Sequence, residues 1–256
     1  MAWVIDLDGV IWLGNEPIAG SADAVARLRS AGVAVVFVTN NAEARVADQE
    51  AKLASLDIPA EGAVITSAVA AASMLEPGTS ALSCGGPGVV EALEARGVTV
   101  VSEGPADAVV VGFHRTFDYQ RLRAAHRAVW RGARLIGTNA DPTYPDTDGP
   151  IPGAGSILAA VATAAGVEPD VAGKPFAPMA ALVREHVGDG EHLVVGDRLS
   201  TDGRLAAALA ARFGLVLSGI ARDETLPGEP EPDVVADDLA ALVNAELDGK
   251  AELDGQ

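Results

Sequence analysis

Cysteine is nearly absent: Cys84 stands alone among 256 residues, so no internal disulfide can form and a buried core must supply the stability. Cys84 itself reads as a small buried hydrophobe. With apolar chemistry beginning at Ala2 and no positively charged leader, the expected setting is a reducing cytoplasm. Basic charge is also scarce. Eighteen Lys+Arg face 36 Asp+Glu, a formal net charge of -18, which removes the cationic surface from which duplex nucleic acid and anionic membranes draw most of their binding energy. Neither is an expected partner. Long apolar runs are missing too. Mean hydropathy is +0.24, yet the longest nearly apolar stretch, Ile157 to Val167, falls well short of the roughly 20 residues that a membrane-spanning helix needs. Abundant Ala and Val account for the average.

What is present is 49% apolar and 21% charged residues, enough for one large globular domain or two smaller ones. Short runs rich in Val and Ile alternate with stretches of helical period, the pattern of βα units around a parallel sheet. The expected fold class is therefore α/β. Strands are predicted at Ala2 to Ile5, Val33 to Val38, Ala108 to Val111, Arg134 to Ile136, His192 to Val195 and Leu215 to Leu217, with weaker signals at Ala81 to Ser83, Val98 to Val101 and Asp233 to Val235. Ser21 is predicted to cap a helix that stops at Gly32, and Gly97 to end a helix carrying Val90 and Leu93. Two Pro/Gly-rich stretches, Asn139 to Gly155 and Leu226 to Pro232, interrupt the rhythm; the first is long enough to be functional. From Asp223 onward eleven acidic residues meet one Lys, which reads as a solvated acidic face.

Four loops carry chemistry. Asp6-Leu7-Asp8-Gly9 follows the first apolar run. Residues i and i+2 of an extended segment share a face about 6.6 Å apart, so both carboxylates can serve one substrate, and their repulsion calls for a cation. Thr39-Asn40-Asn41 ends the second strand in three hydrogen-bonding side chains, fit to cap a helix starting near Glu43 and to receive a phosphate. Gly173-Lys174-Pro175 pins one of only three lysines, against fifteen arginines, as a point charge suited to a phosphate or a carboxylate cluster. Gly196-Asp197 to Asp202 follows another strand and adds two carboxylates, which suit a hard divalent cation; Asp202 can equally cap the helix through Leu205 to Ala211. Three of the four motifs lie at predicted strand ends, where doubly wound sheets bind ligands.

In this order the four loops resemble the motifs of the haloacid dehalogenase superfamily. Asp6-Leu7-Asp8-Gly9-Val10-Ile11-Trp12 with Glu16-Pro17-Ile18, and Ile151-Pro152-Gly153-Ala154-Gly155, are similar to the phosphatase branch that includes the p-nitrophenyl phosphatases and NagD-like proteins. The resemblance covers nearly the whole chain. It implies a doubly wound, Rossmann-like parallel-sheet core, 1–70 plus 170–256, with an inserted α/β cap domain at 71–169. It also implies a Mg²⁺-dependent phosphatase acting on a small phosphorylated metabolite. Asp6 would be the nucleophile and Asp8 the general acid and base. Asp6, the main-chain carbonyl of Asp8 and Asp197 would hold the metal, and Thr39, the main chain at Asn40 and Lys174 the phosphoryl oxygens. Asp202 would orient Lys174 or a metal-bound water. Dehalogenases of the superfamily lack the second aspartate, so Asp8 points to phosphate. Asn139 and Asp141, in the segment that resembles the substrate-facing part of the cap, are candidate substrate contacts. Ser200 and His114 depart from the family pattern, both standing where Asp is frequent; His114 reads best as a strand-end histidine.

Other classes fit less well. There is no G-x-G-x-x-G after the first strand, no P-loop, since six residues rather than four separate Gly166 from Gly173-Lys174, and no G-x-S-x-G elbow. Two alternatives stay open. A phosphometabolite-binding or regulatory relative without turnover is disfavoured by the joint presence of Asp6, Asp8, Lys174 and Asp197, and a phosphomutase would isomerise its substrate rather than release phosphate. The physiological phosphomonoester and the oligomeric state are not legible, although relatives of this branch often form homodimers through their caps.

Overall fold

The computed structural model describes residues 1–144, 149–219 and 228–254, the side chains of 250–254 excepted. The chain forms two compact units, one made of Met1–Val38, Glu50–Val64 and Ala180–Gln256, the other of Thr39–Gln49 and Ile65–Met179. Parallel sheets flanked by helices make it an α/β fold with a Rossmann-like core.

A six-stranded sheet runs in the order Val234–Ala236, Arg212–Val216, His192–Gly196, Ala2–Asp6, Ala34–Thr39, Val64–Thr66. Ala2–Asp6 is central and pairs in parallel with its neighbours on both sides, Ala2 opposite Ala34 and His192. Strands covered on both faces read as unbroken apolar runs, and Trp3, Ile5 and Phe37 are fully buried. Helix Ser21–Ser30 belongs to the same unit and ends before Gly32, whose φ of 73° only a residue without Cβ adopts cheaply. Ser21 does not cap it. The N-cap is Gly20, and Ser21 sits inside the first turn with its hydroxyl donating to the Ile11 carbonyl.

The second unit holds a five-stranded parallel sheet in the order Asp170–Val171, Arg134–Gly137, Ala108–Val111, Ser80–Cys84, Thr99–Val101. Its core joins Leu82, Val109 and Leu135 of the sheet to Ala125 and Val129 of helix Tyr119–Trp130 and to Leu158 and Val161 of helix Ala154–Ala165. Cys84 is fully buried in this core. The predicted strands are found within a few residues of their expected bounds. Val64–Thr66 and Asp170–Val171 have no counterpart in the sequence reading, because three- and two-residue strands are too short to show a period. Within the Pro-rich stretch from Asn139 to Gly155, Thr143–Tyr144 and Ile151–Pro152 pair antiparallel, and 145–148 lie outside the described residues, as does part of the acidic segment that begins at Asp223. Among the described residues no helix is long and apolar enough to cross a membrane.

Candidate active site

In the first unit, Ile5 lies opposite Val195 on the neighbouring strand. Asp6 and Asp197 therefore leave two adjacent parallel strands at the same carboxyl end, where α/β sheets place their ligands. Both are buried, as is Asp202, and one carboxylate oxygen from each lies within 4.8 Å of the others. Asp202 reaches this group because Leu199–Gly203 winds as a single π-helical turn rather than opening the following α-helix; such wide turns recur at functional sites. Its Oδ2 accepts hydrogen bonds from the Arg198 N–H at 3.2 Å and the Thr201 hydroxyl at 3.3 Å.

Glycine makes the room. A Cβ on Gly196 would fall 2.1 Å from Asp202 Cγ, one on Gly9 2.5 Å from Asp197 Oδ2, and one on Gly219 2.0 Å from that same oxygen. Three buried carboxylates held this close repel one another and are costly to bury without a compensating cation. A hard divalent ion that takes oxygen ligands fits this donor set. Asp6, Asp197 and Asp202 are side chains that could hold such an ion.

Asp8 meets Trp12. The Leu7 carbonyl accepts N–H groups from Val10, Ile11 and Trp12 at 2.9–3.3 Å, and Gly9, with φ 85°, donates to the Trp12 carbonyl at 2.7 Å. This turn folds Trp12 back so that its indole Nε1 donates to Asp8 Oδ1 at 3.1 Å. Lys52 Nζ sits 3.9 Å from the centroid of the Trp12 ring and donates to the Gly14 carbonyl at 2.9 Å. Burial pushes the Lys52 ammonium below the usual lysine range, with the charge of Asp8 opposing that shift. Asp6 Oδ1 accepts the N–H of Leu7 at 2.8 Å.

In the second unit, Asn40 is the hub. Its Oδ1 accepts the Lys174 N–H at 2.8 Å, while its Nδ2 lies 3.2 Å from the Lys174 carbonyl and 3.1 Å from Asp141 Oδ2 and donates to both. Gly173 permits this approach, since a Cβ there would lie 2.5 Å from Asn40 Oδ1. The Asn40 carbonyl in turn accepts from Asn139 Nδ2 and from the Ser67 hydroxyl, both at 2.7 Å. Asn139 Oδ1 takes the Asp141 N–H at 3.0 Å. Lys174 itself is 3% exposed. Thr39, also buried, accepts the Asn41 N–H through Oγ1 at 3.0 Å, and Asn41 Oδ1 accepts the Glu43 N–H at 3.0 Å. That Asx turn holds the chain out of helix. The helix expected to start near Glu43 begins at Val46.

The structure thus gathers Asp6, Asp197 and Asp202 in one group and Asn40, Asn139, Asp141 and Lys174 in another. Sequence reasoning missed several contributors. Trp12 had no role, and Lys52 was passed over although lysine scarcity had singled out Lys174. Tyr144, whose hydroxyl accepts from Asn41 Nδ2 at 3.2 Å and whose ring stacks on Phe113, carried no signal. His114 is half-buried, its Nδ1 accepting the Thr116 N–H at 3.2 Å. Burial first, and the positive charge of Arg121 second, push it below the usual histidine range. Ser200 is exposed on the π turn.

Comparison with known proteins adds an independent line. Residues 3–99 match the family Haloacid dehalogenase-like hydrolase, and residues 171–242 a HAD-hydrolase-like family. The chain is 38% identical over 252 residues to the D-glycerol 3-phosphate phosphatase of Mycobacterium tuberculosis, covering 93% of this chain and 70% of that protein. It is 34% identical over 237 residues to the 5'-nucleotidase YutF of Bacillus subtilis, covering 90% and 91%. A crystal structure of a glycerol phosphate phosphatase from Mycobacterium tuberculosis in complex with magnesium superimposes with a TM-score of 0.87 at 33% identity, over 94% of this chain and 75% of that one.

Proposed function

Because the chain belongs to the haloacid dehalogenase-like hydrolases, we propose that it is a Mg²⁺-dependent phosphatase that hydrolyses a small phosphomonoester through an aspartyl-phosphate intermediate. The observation that carries the reading is the buried trio Asp6, Asp197 and Asp202, cradled by glycines. Two relatives matched over most of this chain are a phosphatase and a nucleotidase by name, and a similar glycerol phosphate phosphatase has been crystallised in complex with magnesium.

Asp6 attacks phosphorus, forming an O–P bond while the ester P–O bond breaks and its electron pair leaves with the substrate oxygen. Asp8 gives that oxygen its proton. Asp8 then accepts a proton from water, whose oxygen attacks phosphorus; the Asp6–phosphorus bond breaks and inorganic phosphate departs. Asp6, the main-chain carbonyl of Asp8, Asp197 and, from its place in the trio, Asp202 would hold Mg²⁺, which would supply charge neutralisation for the phosphoryl transfer. Lys174, Thr39 and the main-chain N–H of Asn40 bind the phosphoryl oxygens; the Asn40 side chain is spent on fixing the Lys174 backbone. Asn139 and Asp141 are assigned to the substrate side, and residues 71–169 to a cap that restricts entry to small metabolites. A single buried thiol fits a reducing, cytoplasmic setting.

The names of the relatives differ in substrate, so the leaving group is set by side chains particular to each. Phosphate release from p-nitrophenyl phosphate and a panel of small phosphomonoesters, with Mg²⁺ and with EDTA, tests the reading. Metal-dependent release that Asp6→Asn abolishes is the expected result. Release that is indifferent to EDTA or to Asp6→Asn overturns it.

A further inference from the structure

Nothing in the expected chemistry assigns Trp12 or Lys52 a task, yet they are joined to Asp8 by an unbroken chain of contacts inside one unit. Trp12 is 2% exposed, and its only polar side-chain group, the indole N–H, is directed at Asp8 Oδ1. A buried indole N–H needs an acceptor, and the acceptor chosen is the carboxylate proposed to move the proton. The indole plane is fixed from above by Lys52, which sits 3.9 Å over the ring and is anchored at its far end by the Gly14 carbonyl. A carboxylate on a loop turns freely about its side-chain bonds. One that accepts from a rigid indole at Oδ1 is held in a single orientation.

We propose that Trp12 and Lys52 are positioning residues for the phosphatase reaction: Trp12 orients the Asp8 carboxyl for proton transfer to the leaving oxygen, and Lys52 locks Trp12 in that orientation. The inference rests on the role given to Asp8 above and adds that this role depends on two residues that do not touch the substrate. Its signature is a dependence on the leaving group. Loss of a well-placed acid penalises esters with a poor leaving oxygen far more than p-nitrophenyl phosphate, whose leaving group departs with little help, whereas damage to folding or metal binding slows all esters alike.

The test compares kcat/KM for p-nitrophenyl phosphate, phenyl phosphate and glycerol phosphate in the wild type, Asp8→Asn, Trp12→Phe and Lys52→Met. Trp12→Phe keeps an aromatic ring and removes the N–H; Lys52→Met keeps the apolar stem and removes the charge. General acid catalysis contributes on the order of 10²–10⁴-fold, and misplacement of a catalytic group costs up to about 10²-fold. Trp12→Phe is therefore expected to lower the ratio of glycerol phosphate to p-nitrophenyl phosphate turnover on the order of tenfold, in the same direction as Asp8→Asn, and Lys52→Met to lower it less. Should Trp12→Phe fail to fold by circular dichroism, Lys52→Met decides by the same ratio. If Asp8→Asn discriminates among the esters while the other two variants slow all of them equally, the positioning role is wrong and the reading of Asp8 survives. If Asp8→Asn itself does not discriminate, that reading falls and the inference with it.

Discussion

The side-chain amide of Asn40 grips both polar groups of Lys174's backbone, accepting from its N–H at 2.8 Å and donating to its carbonyl at 3.2 Å, across 134 residues of sequence. The lysine proposed to meet the phosphate is thus held at its main chain. Asn40→Ala would strand the Lys174 N–H and carbonyl and remove one donor from Asp141. Leaving buried polar groups unpaired costs about 1–3 kcal/mol each, so a fall in stability of about 2–3 kcal/mol is expected, together with a raised KM for phosphomonoesters. Asn40→Asp, which keeps one acceptor but sets a second carboxylate against Asp141, should do no better. Thermal melts and steady-state kinetics of the two variants check both expectations.

Gly196 gives a sharper test of the carboxylate trio. It lies in a strand, and a methyl there would occupy the space of the Asp202 carboxyl, 2.1 Å from its Cγ. Gly196→Ala must therefore displace Asp202 from Asp6 and Asp197. Disturbing the groups around a metal typically costs 10–100-fold in affinity (roughly), so half-maximal turnover is expected at a Mg²⁺ concentration higher by about that factor. An unchanged Mg²⁺ titration would show that Asp202 takes no part in holding the ion.

The two groups of site residues were not equally legible in the sequence. Asp6 and Asp197 could be placed because each follows an apolar run, and adjacent parallel strands deliver their ends to one side. Asp202 was legible only as a site carboxylate or a helix cap, and not as a close neighbour of Asp6 and Asp197, because the π turn of Leu199–Gly203 that carries it leaves no mark in the helical period running back from Leu205. The hold of Asn40 on Lys174 is a long-range hydrogen bond with no periodicity to betray it. Ser21 misled for a related reason: a serine before an apolar helix signals a cap, but here the helix starts one residue earlier and the hydroxyl is drawn to Ile11.

Cys84 tests the second unit's core. Burial pushes its thiol up to about 12, with the charge of Arg121 opposing. At pH 8 the thiolate, the reactive form, is therefore scarce, and the native protein should not react with a thiol-specific disulfide reagent over an hour, while one equivalent reacts once denaturant is added. Rapid native labelling would mean that the strand Ser80–Cys84 opens readily. Cys84→Ser buries a hydroxyl in the same apolar surroundings and should cost about 1–3 kcal/mol.

His114 supplies the pH dependence. Its folded-state pKa lies below the ordinary 6.5, through burial first and the positive charge of Arg121 second, with Asp118 pulling the other way. The unfolded chain therefore binds this proton more readily than the native one, and the neutral imidazole favours the native state. That contribution is fully present above pH 6.5 and is lost as the pH falls through the lower native midpoint. A histidine C2–H titration followed by NMR should place the His114 midpoint below 6.5, and Arg121→Gln should raise it without restoring the ordinary value, because burial, the larger cause, remains. A midpoint at or above 6.5 in the wild type would show that His114 is solvated and paired with Asp118 instead.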